Sequence, residues 1–278
     1  MSAMSDSTGL QIRSLLIAIL ICASVLVSAD DRKKVEDDLR RSLVGTYLSL
    51  RVPDGSGQLH FASNGQLKGS PSPLPWTTGG LLRVNKVSLK AKLIEIEGSR
   101  ALVAWRLNAN PALMTVVTQR RVKLDVDLDS QPADASQAIK FLAPIFESGS
   151  VDQRVAGAWT PDPSADVPNG PRVLGVLEGG RDVYRGHRGD VEPPRPLYTP
   201  EPSYTDSARK DRLQGTTSLK VIVNERGQPE IIEIAKGLGD GMDLQALDAV
   251  SQWRFQPATM NKKAVPVEIT IQIGVTLQ

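Results

Sequence analysis

The sequence predicts an α+β protein in two folded parts. The first is a β-rich N-terminal domain, an antiparallel sheet or small barrel. The second is a small C-terminal domain of order α-β-β-α-β around a three-stranded antiparallel sheet. Three observations predict this. Apolar residues recur with period two over much of 47–128 and again from 219 to the end. Helical spacing is confined to a few short stretches. Prolines and glycines accumulate between Thr160 and Pro202, where a chain runs extended and domains divide.

The clearest element is the last. Val265, Val267, Ile269, Ile271, Ile273, Val275 and Leu277 alternate with Pro266, Glu268, Thr270, Gln272, Gly274 and Thr276. Strict alternation of mostly β-branched residues predicts one long, half-buried strand. Pro266 lacks an N–H, which suits a strand start or an edge.

Taken in order, Leu15 to Ala29 is an apolar run after Arg13, ending in Val27-Ser28-Ala29 before Asp30-Asp31. Small residues before a switch to charge predict a secretory signal, residues 1–29, cleaved after Ala29. The alternative is an uncleaved anchor, although the run is shorter than the roughly 20 residues of a spanning helix. Val35, Leu39 and Leu43 predict an amphipathic helix over Asp30–Leu43, closed by Gly45. Strands are expected at Tyr47–Leu50, Leu59–Phe61, Val84–Leu89, Leu93–Ile96, Leu102–Leu107 and Val122–Leu128, with a hairpin turn at Ser63-Asn64-Gly65. Ala135–Phe146 reads as a helix whose end is disturbed by Pro144. The β-rich domain is thus 30–158, the linker 159–200 and the C-terminal domain 201–278.

In that last domain Thr205 or Asp206 can cap a short helix, with Gly215 as its left-handed C-terminal residue. Leu219, Val221 and Val223 form a strand, Glu225-Arg226-Gly227 a turn, and Ile232 and Ile234 a second strand. Gly237, Gly239 and Gly241 make a loop, and Asp243 is the expected N-cap of a helix burying Ala246, Ala249, Val250 and Trp253.

Composition excludes several functions. The chain has 278 residues, 33 Lys and Arg against 31 Asp and Glu, and four each of Phe, Tyr and Trp. Balanced charge and sparse aromatics supply neither a basic footprint nor a stacking platform for nucleic acid. The single cysteine, Cys22, lies in the apolar run, and the two histidines, His60 and His187, are far apart, so no metal site or cofactor is expected. Neither GxSxG nor HExxH occurs, and no phosphate-loop lysine follows the glycine clusters. Asp37-Asp38 and the Asp125/Asp127 pair sit on faces expected to be solvated. No enzyme is expected.

Pro202-Ser203-Tyr204, Ala208-Arg209, Gln214-Gly215, Gly227, Leu238-Gly239-Asp240-Gly241-Met242-Asp243, Ala246, Ala249-Val250, Trp253-Arg254-Phe255, Pro257-Ala258, Val265 and Val267 together resemble the C-terminal domain of the TonB energy-transducer family, over about 195–278. Thr205, Pro229 and Ala264 depart from common residues of that pattern. The resemblance implies a binding module in the cell envelope. Its partner would be an outer-membrane TonB-dependent receptor or another envelope protein, whose extended segment adds beside the last strand. Carried over, the binding positions are Pro202, Ser203, Tyr204, Ile269, Ile271, Gln272, Ile273, Gly274 and Val275. Ile271 and Ile273 read as core, and Gln272 and Gly274 as outward contacts. A homodimer joined through the last strand is the competing use of the same edge. Transducers of the family carry a histidine in their membrane helix, whereas Leu15–Ala29 holds no ionisable residue but Cys22. The expectation is therefore a periplasmic docking protein, touching a membrane only if the N-terminal segment is retained. An apolar-ligand carrier built on the β-rich domain, or a structural envelope protein, is the alternative.

Overall fold

The computed structural model describes residues 29–106, 113–148, 154, 157–162, 173–186, 190–239 and 241–276. The signal-like run up to Ser28, His187, Asp240 and Leu277 lie outside them. Among the described residues no helix is long and apolar enough to cross a membrane.

Helix α1 (Ala29–Leu43) carries Asp30 and Asp31 in its first turn and Arg40 and Arg41 in its last, which complements the helix dipole. Val35, Leu39 and Leu43 are its buried stripe. Strands β1 (Tyr47–Ser49), β2 (Gln58–Phe61) and β3 (Leu67–Lys68) follow, then the one-turn helix α2 (Trp76–Gly79). Next come the long strands β4 (Leu81–Lys90), β5 (Leu93–Arg106) and β6 (Leu113–Asp127), and helix α3 (Ala135–Leu142). The α3 N-cap Asp134 accepts from the Gln137 N–H at 2.7 Å. The helix stops before Pro144, earlier than the Phe146 end read from the apolar spacing.

These strands lie in the order β3-β2-β6-β5-β4-β1. The sheet is open, not a barrel, and it is mixed, because β2 runs parallel to β6. Leu59, Phe61, Val84, Ile94, Ile96, Leu124 and Val126 point to one face, where α1 and α3 cover them with Val35, Leu39, Leu43, Ala138 and Leu142. On the other face His60 and Lys68 both bond the Asp127 carboxylate, and Glu95 pairs with Lys90 and Lys123.

The two strands expected at Leu93–Ile96 and Leu102–Leu107 are halves of β5. It passes through Gly98, where a Cβ would stand 2.5 Å from the Arg83 carbonyl, and through a register shift at Arg100. Arg100 is 2 % exposed and donates to the carbonyls of Gly79 and Ser56. Burial pushes its guanidinium down to about 10.

Most described residues of the segment 159–200, read as a linker, lie in strands or their turns. It contains β7 (Trp159–Pro161), β8 (Val173–Leu177), β9 (Arg181–Arg185), β10 (Val191–Glu192) and β11 (Arg195–Tyr198). Strands β7 to β9 form an antiparallel meander turned by Gly179 and Gly180, both at positive φ. Two of the glycines counted towards the linker are turn residues here.

The C-terminal region contains α4 (Asp206–Lys210), β12 (Gly215–Val223), β13 (Pro229–Lys236), α5 (Met242–Ser251), then three short strands absent from the expected order, β14 (Arg254–Gln256), β15 (Thr259–Met260) and β16 (Lys263–Ala264), and β17 (Val267–Val275). Its central sheet is β13-β12-β17, antiparallel throughout. Leu219, Val221, Val223, Ile232, Ile234, Ile271 and Ile273 pack under Ala246, Leu247 and Val250 of α5. Ala208 of α4 meets Met242 and Val275 on the same side.

Three local expectations need correction. The left-handed residue after α4 is Arg212 at φ 50°, not Gly215, which already opens β12. The N-cap of α5 is Gly241, and Asp243 instead reaches back from inside the helix. It accepts from the N–H groups of Leu238 and Gly239 and from the Thr217 hydroxyl. The last strand begins at Val267 rather than Val265, because Val265 spends its N–H on the Ala258 carbonyl.

The two domains share one sheet. The β5–β6 hairpin outruns β4, and its end pairs in parallel with β13, Trp105 opposite Glu233. Leu102, Ala104 and Val116 thereby enter the C-terminal core. The Thr77 and Thr78 hydroxyls donate to the carbonyls of Glu230 and Pro229, and the Gln228 amide donates to the Pro73 carbonyl at 2.9 Å. Arg120 of β6 reaches Asp248 and Ser251 of α5, both at 2.9 Å.

Burial raises the Asp248 carboxyl above its ordinary value, and Arg120 offsets only part of that. Its stabilising share is therefore present below the unfolded value near 4 and is lost as pH rises through the higher folded value. Asp248→Asn removes this titration. The expected result is a melting-temperature profile that declines less over the interval just above pH 4, measured by calorimetry.

Candidate functional site

The C-terminal strand β17 is paired along its whole length on one side, from Val267 opposite Val223 to Val275 opposite Gly215. Among the described residues its other side is covered only at the start. There β9 runs parallel to it, with Val267 opposite Tyr184 and Glu268 opposite Arg185. The Tyr184 N–H donates to the Pro266 carbonyl at 2.9 Å, and the Gly186 N–H approaches the Glu268 carbonyl at 3.4 Å.

Those two contacts define which residues face the edge. Alternate residues of a strand turn their N–H and C=O to the same side. Pro266 and Glu268 face β9, so Thr270, Gln272 and Gly274 face the same way, beyond the point where β9 leaves. Among the described residues no strand pairs with β17 there, and no hydrogen bond from outside the β12 ladder reaches their main-chain groups. All three are exposed, and a Cβ at Gly274 would meet nothing within 4 Å.

Beside this edge lies an open groove of about 700 Å³. Its walls are Thr199, Pro200, Glu201, Pro202 and Tyr204 on one side and Gln272 to Thr276 on the other, with Met242, Arg209 and Trp253 between. The Trp253 indole N–H donates to the Pro200 carbonyl at 3.1 Å and pins the incoming chain across the end of α5. The Tyr204 hydroxyl donates to the Leu213 carbonyl, and Arg209 sits 5.9 Å from the Tyr204 ring centre. Thr205 caps α4 by accepting from the Ala208 N–H at 3.2 Å, which orients Arg209 beside that ring.

Of the expected positions, Pro202, Tyr204, Gln272, Ile273, Gly274 and Val275 line this groove. Ser203 is exposed beside it but is not a wall residue. Ile271 is 6 % exposed and belongs to the core under α5. Ile269 is half-buried and lies against Gly186, where a Cβ would come 3.2 Å from its Cγ2. Reasoning from sequence missed Arg209, Met242 and Trp253 as groove residues, although each stands inside a motif that carried the resemblance.

Fold and site together define an α+β module that presents one partly open strand edge beside a groove. Residues 200–274 match the family model described as the Gram-negative bacterial TonB protein C-terminal. Protein tonB2 of Pseudomonas aeruginosa is 33 % identical over 82 residues, which is 29 % of this chain and 30 % of that protein. The chain thus spans less than a third of that relative's length. A solution structure of the Pseudomonas aeruginosa TonB C-terminal domain aligns with a TM-score of 0.26 and 19 % identity, over 33 % of this chain and 93 % of that one. Residues 200–274 are thus similar to the C-terminal part of TonB proteins.

Proposed function

We propose that the chain is an exported cell-envelope protein whose C-terminal module, residues 201–278, binds an extended peptide segment by strand addition. The partner class is the plug of an outer-membrane TonB-dependent receptor. The N-terminal domain, 30–158, braces the module. The observation that carries this reading is the uncovered edge of β17 from Ile269 to Val275, opposite its complete ladder with β12. Six outward main-chain groups, at a net ~0.5–1.5 kcal/mol per hydrogen bond and set against the cost of association, support weak-to-moderate binding. The role is docking, located in the periplasm whether residues 1–29 are cleaved or kept as an anchor. Coupling to a proton-driven motor is not part of the proposal.

Capture on immobilised receptor plugs tests it. Gln272→Glu and Gly274→Glu place charge on the exposed face beside the incoming strand while leaving the core untouched, so capture is expected to fall several-fold with little change in melting temperature. Capture that survives both changes overturns the edge-strand mechanism. The carrier alternative has less support, because the space between the N-terminal sheet and its helices is filled by side chains such as Leu39, Ile94, Ile96 and Leu124. Native mass spectrometry of protein purified from the periplasm decides it, since co-purified lipid would favour a carrier.

A further inference from the structure

We propose that β9 is a built-in stop, which limits the docking edge to a partner segment of about seven residues. The inference rests on the strand-addition reading above and adds to it the length of the partner.

The stop is a consequence of where β9 sits. It occupies the same side of β17 that an added strand would use, and it leaves after Arg185. Gly186 is the last point of contact among the described residues, close to both the Glu268 carbonyl and the Ile269 side chain. A partner strand beside Ile269 that continued towards Val267 would run into this backbone. The remaining edge, Ile269 to Val275, spans about 20 Å at roughly 3.3 Å per residue.

The meander that holds the stop is fixed to the rest of the protein. Arg181, the first residue of β9, pairs with both carboxylate oxygens of Glu230, and at 3.1 Å with Glu225. Val183 and Leu177 are buried against Trp76, Ala101, Ile222 and Ile231. An added strand would therefore have to break an anchored, partly buried pairing to lengthen its own. That costs more than a few solvent-exposed main-chain hydrogen bonds return.

Side chains of an added strand alternate between the two faces of the sheet. Those on the α5 face meet a mixed wall of Met242, Tyr204 and Trp253 with Arg209 and Glu201, and those on the other face lie beside exposed Gln272 and Gly274.

Two measurements on the full chain test this and separate it from the docking reading. In peptide-free protein, amide hydrogen exchange followed by NMR should show the Glu268 N–H, which the parallel register turns towards β9, exchanging at least tenfold more slowly than those of Thr270, Gln272 and Gly274. Equal rates at all four would overturn the stop. Slow exchange at Thr270, Gln272 and Gly274 would overturn the open edge, and the docking reading with it. The second measurement titrates nested synthetic peptides of five, seven and twelve residues from one receptor-plug segment. Affinity should level off at seven. A tenfold rise from seven to twelve residues in the unaltered chain overturns the stop. No binding at any length overturns docking, while the exchange rates still decide whether β9 guards the edge.

Discussion

Gln272→Pro is expected to lower peptide capture at least tenfold while the protein stays folded. The Gln272 N–H faces the open edge, so its loss leaves the β12 ladder intact. Its exposed side chain leaves no cavity. Proline is tolerated in an edge strand when its missing N–H faces solvent. An arriving strand, however, loses one main-chain donor and meets the pyrrolidine ring. One lost hydrogen bond at ~0.5–1.5 kcal/mol together with that steric conflict reaches the tenfold mark. Ile273→Pro is the control. The Ile273 N–H belongs to the β12 ladder opposite Thr217, and its side chain is 6 % exposed in the core. That change should destabilise the module by ~3 kcal/mol or more. Isothermal titration with a captured plug peptide, alongside thermal melts, distinguishes the two. Equal binding by Gln272→Pro and the unaltered chain would place the contact elsewhere.

Gly227→Ala is expected to have the largest effect on stability of any single methyl addition at a turn among the described residues. Gly227 has φ 71°, and a Cβ there would stand 1.8 Å from the Phe255 carbonyl oxygen. That neighbour is backbone, held because the Phe255 N–H donates to the Gly227 carbonyl at 2.8 Å. The turn is fixed from inside as well, since the Asn224 side-chain carbonyl accepts from the N–H groups of Arg226 and Gln228, both at 3.0 Å. Neither side can yield without separating β14 from the turn. Left-handed strain and displacement together should cost ~3 kcal/mol or more. This corresponds to a fall in melting temperature of roughly 6–12 °C for a protein of this size. Gly179→Ala is the comparison. Its φ is also positive, at 84°, but a Cβ there meets nothing within 4 Å, so only the strain of about 1–2 kcal/mol remains. Similar melting temperatures for the two variants would show that the Phe255 backbone gives way easily.

The elements that sequence reasoning placed correctly are those whose signal is local. Val35, Leu39 and Leu43 repeat at helical spacing and fall on the buried face of α1. Ile269 to Val275 alternate and form β17. Thr205 was a cap by residue type and is a cap in fact. The errors fall where a longer-range contact outbid a local signal. Asp243 looks like an N-cap, yet its carboxylate serves the glycine loop before the helix and Thr217 on β12. Gly179 and Gly180 belonged to a stretch read as an extended linker, yet both turn the β8–β9 hairpin at positive φ. No pattern in the sequence marks a hairpin in one domain as the outer neighbour of a strand in the next, as β5 is to β13.

The candidate site divides in the same way. Gln272 and Gly274 were legible as outward residues because alternation assigns faces from the chain itself. The groove was not, because Pro200, Tyr204, Met242 and Trp253 come together from three separate segments.

The sequence by itself determined the α-β-β-α-β order, the inward and outward faces of the terminal strand, and the TonB-type motifs that run through it. Those follow from residue spacing and side-chain type, which act over a few positions. Only the tertiary structure decided how much of that strand is left to bind. The neighbour on its far side, β9, comes from more than eighty residues earlier in the chain, and an edge is open or closed according to what packs beside it, not according to its own residues.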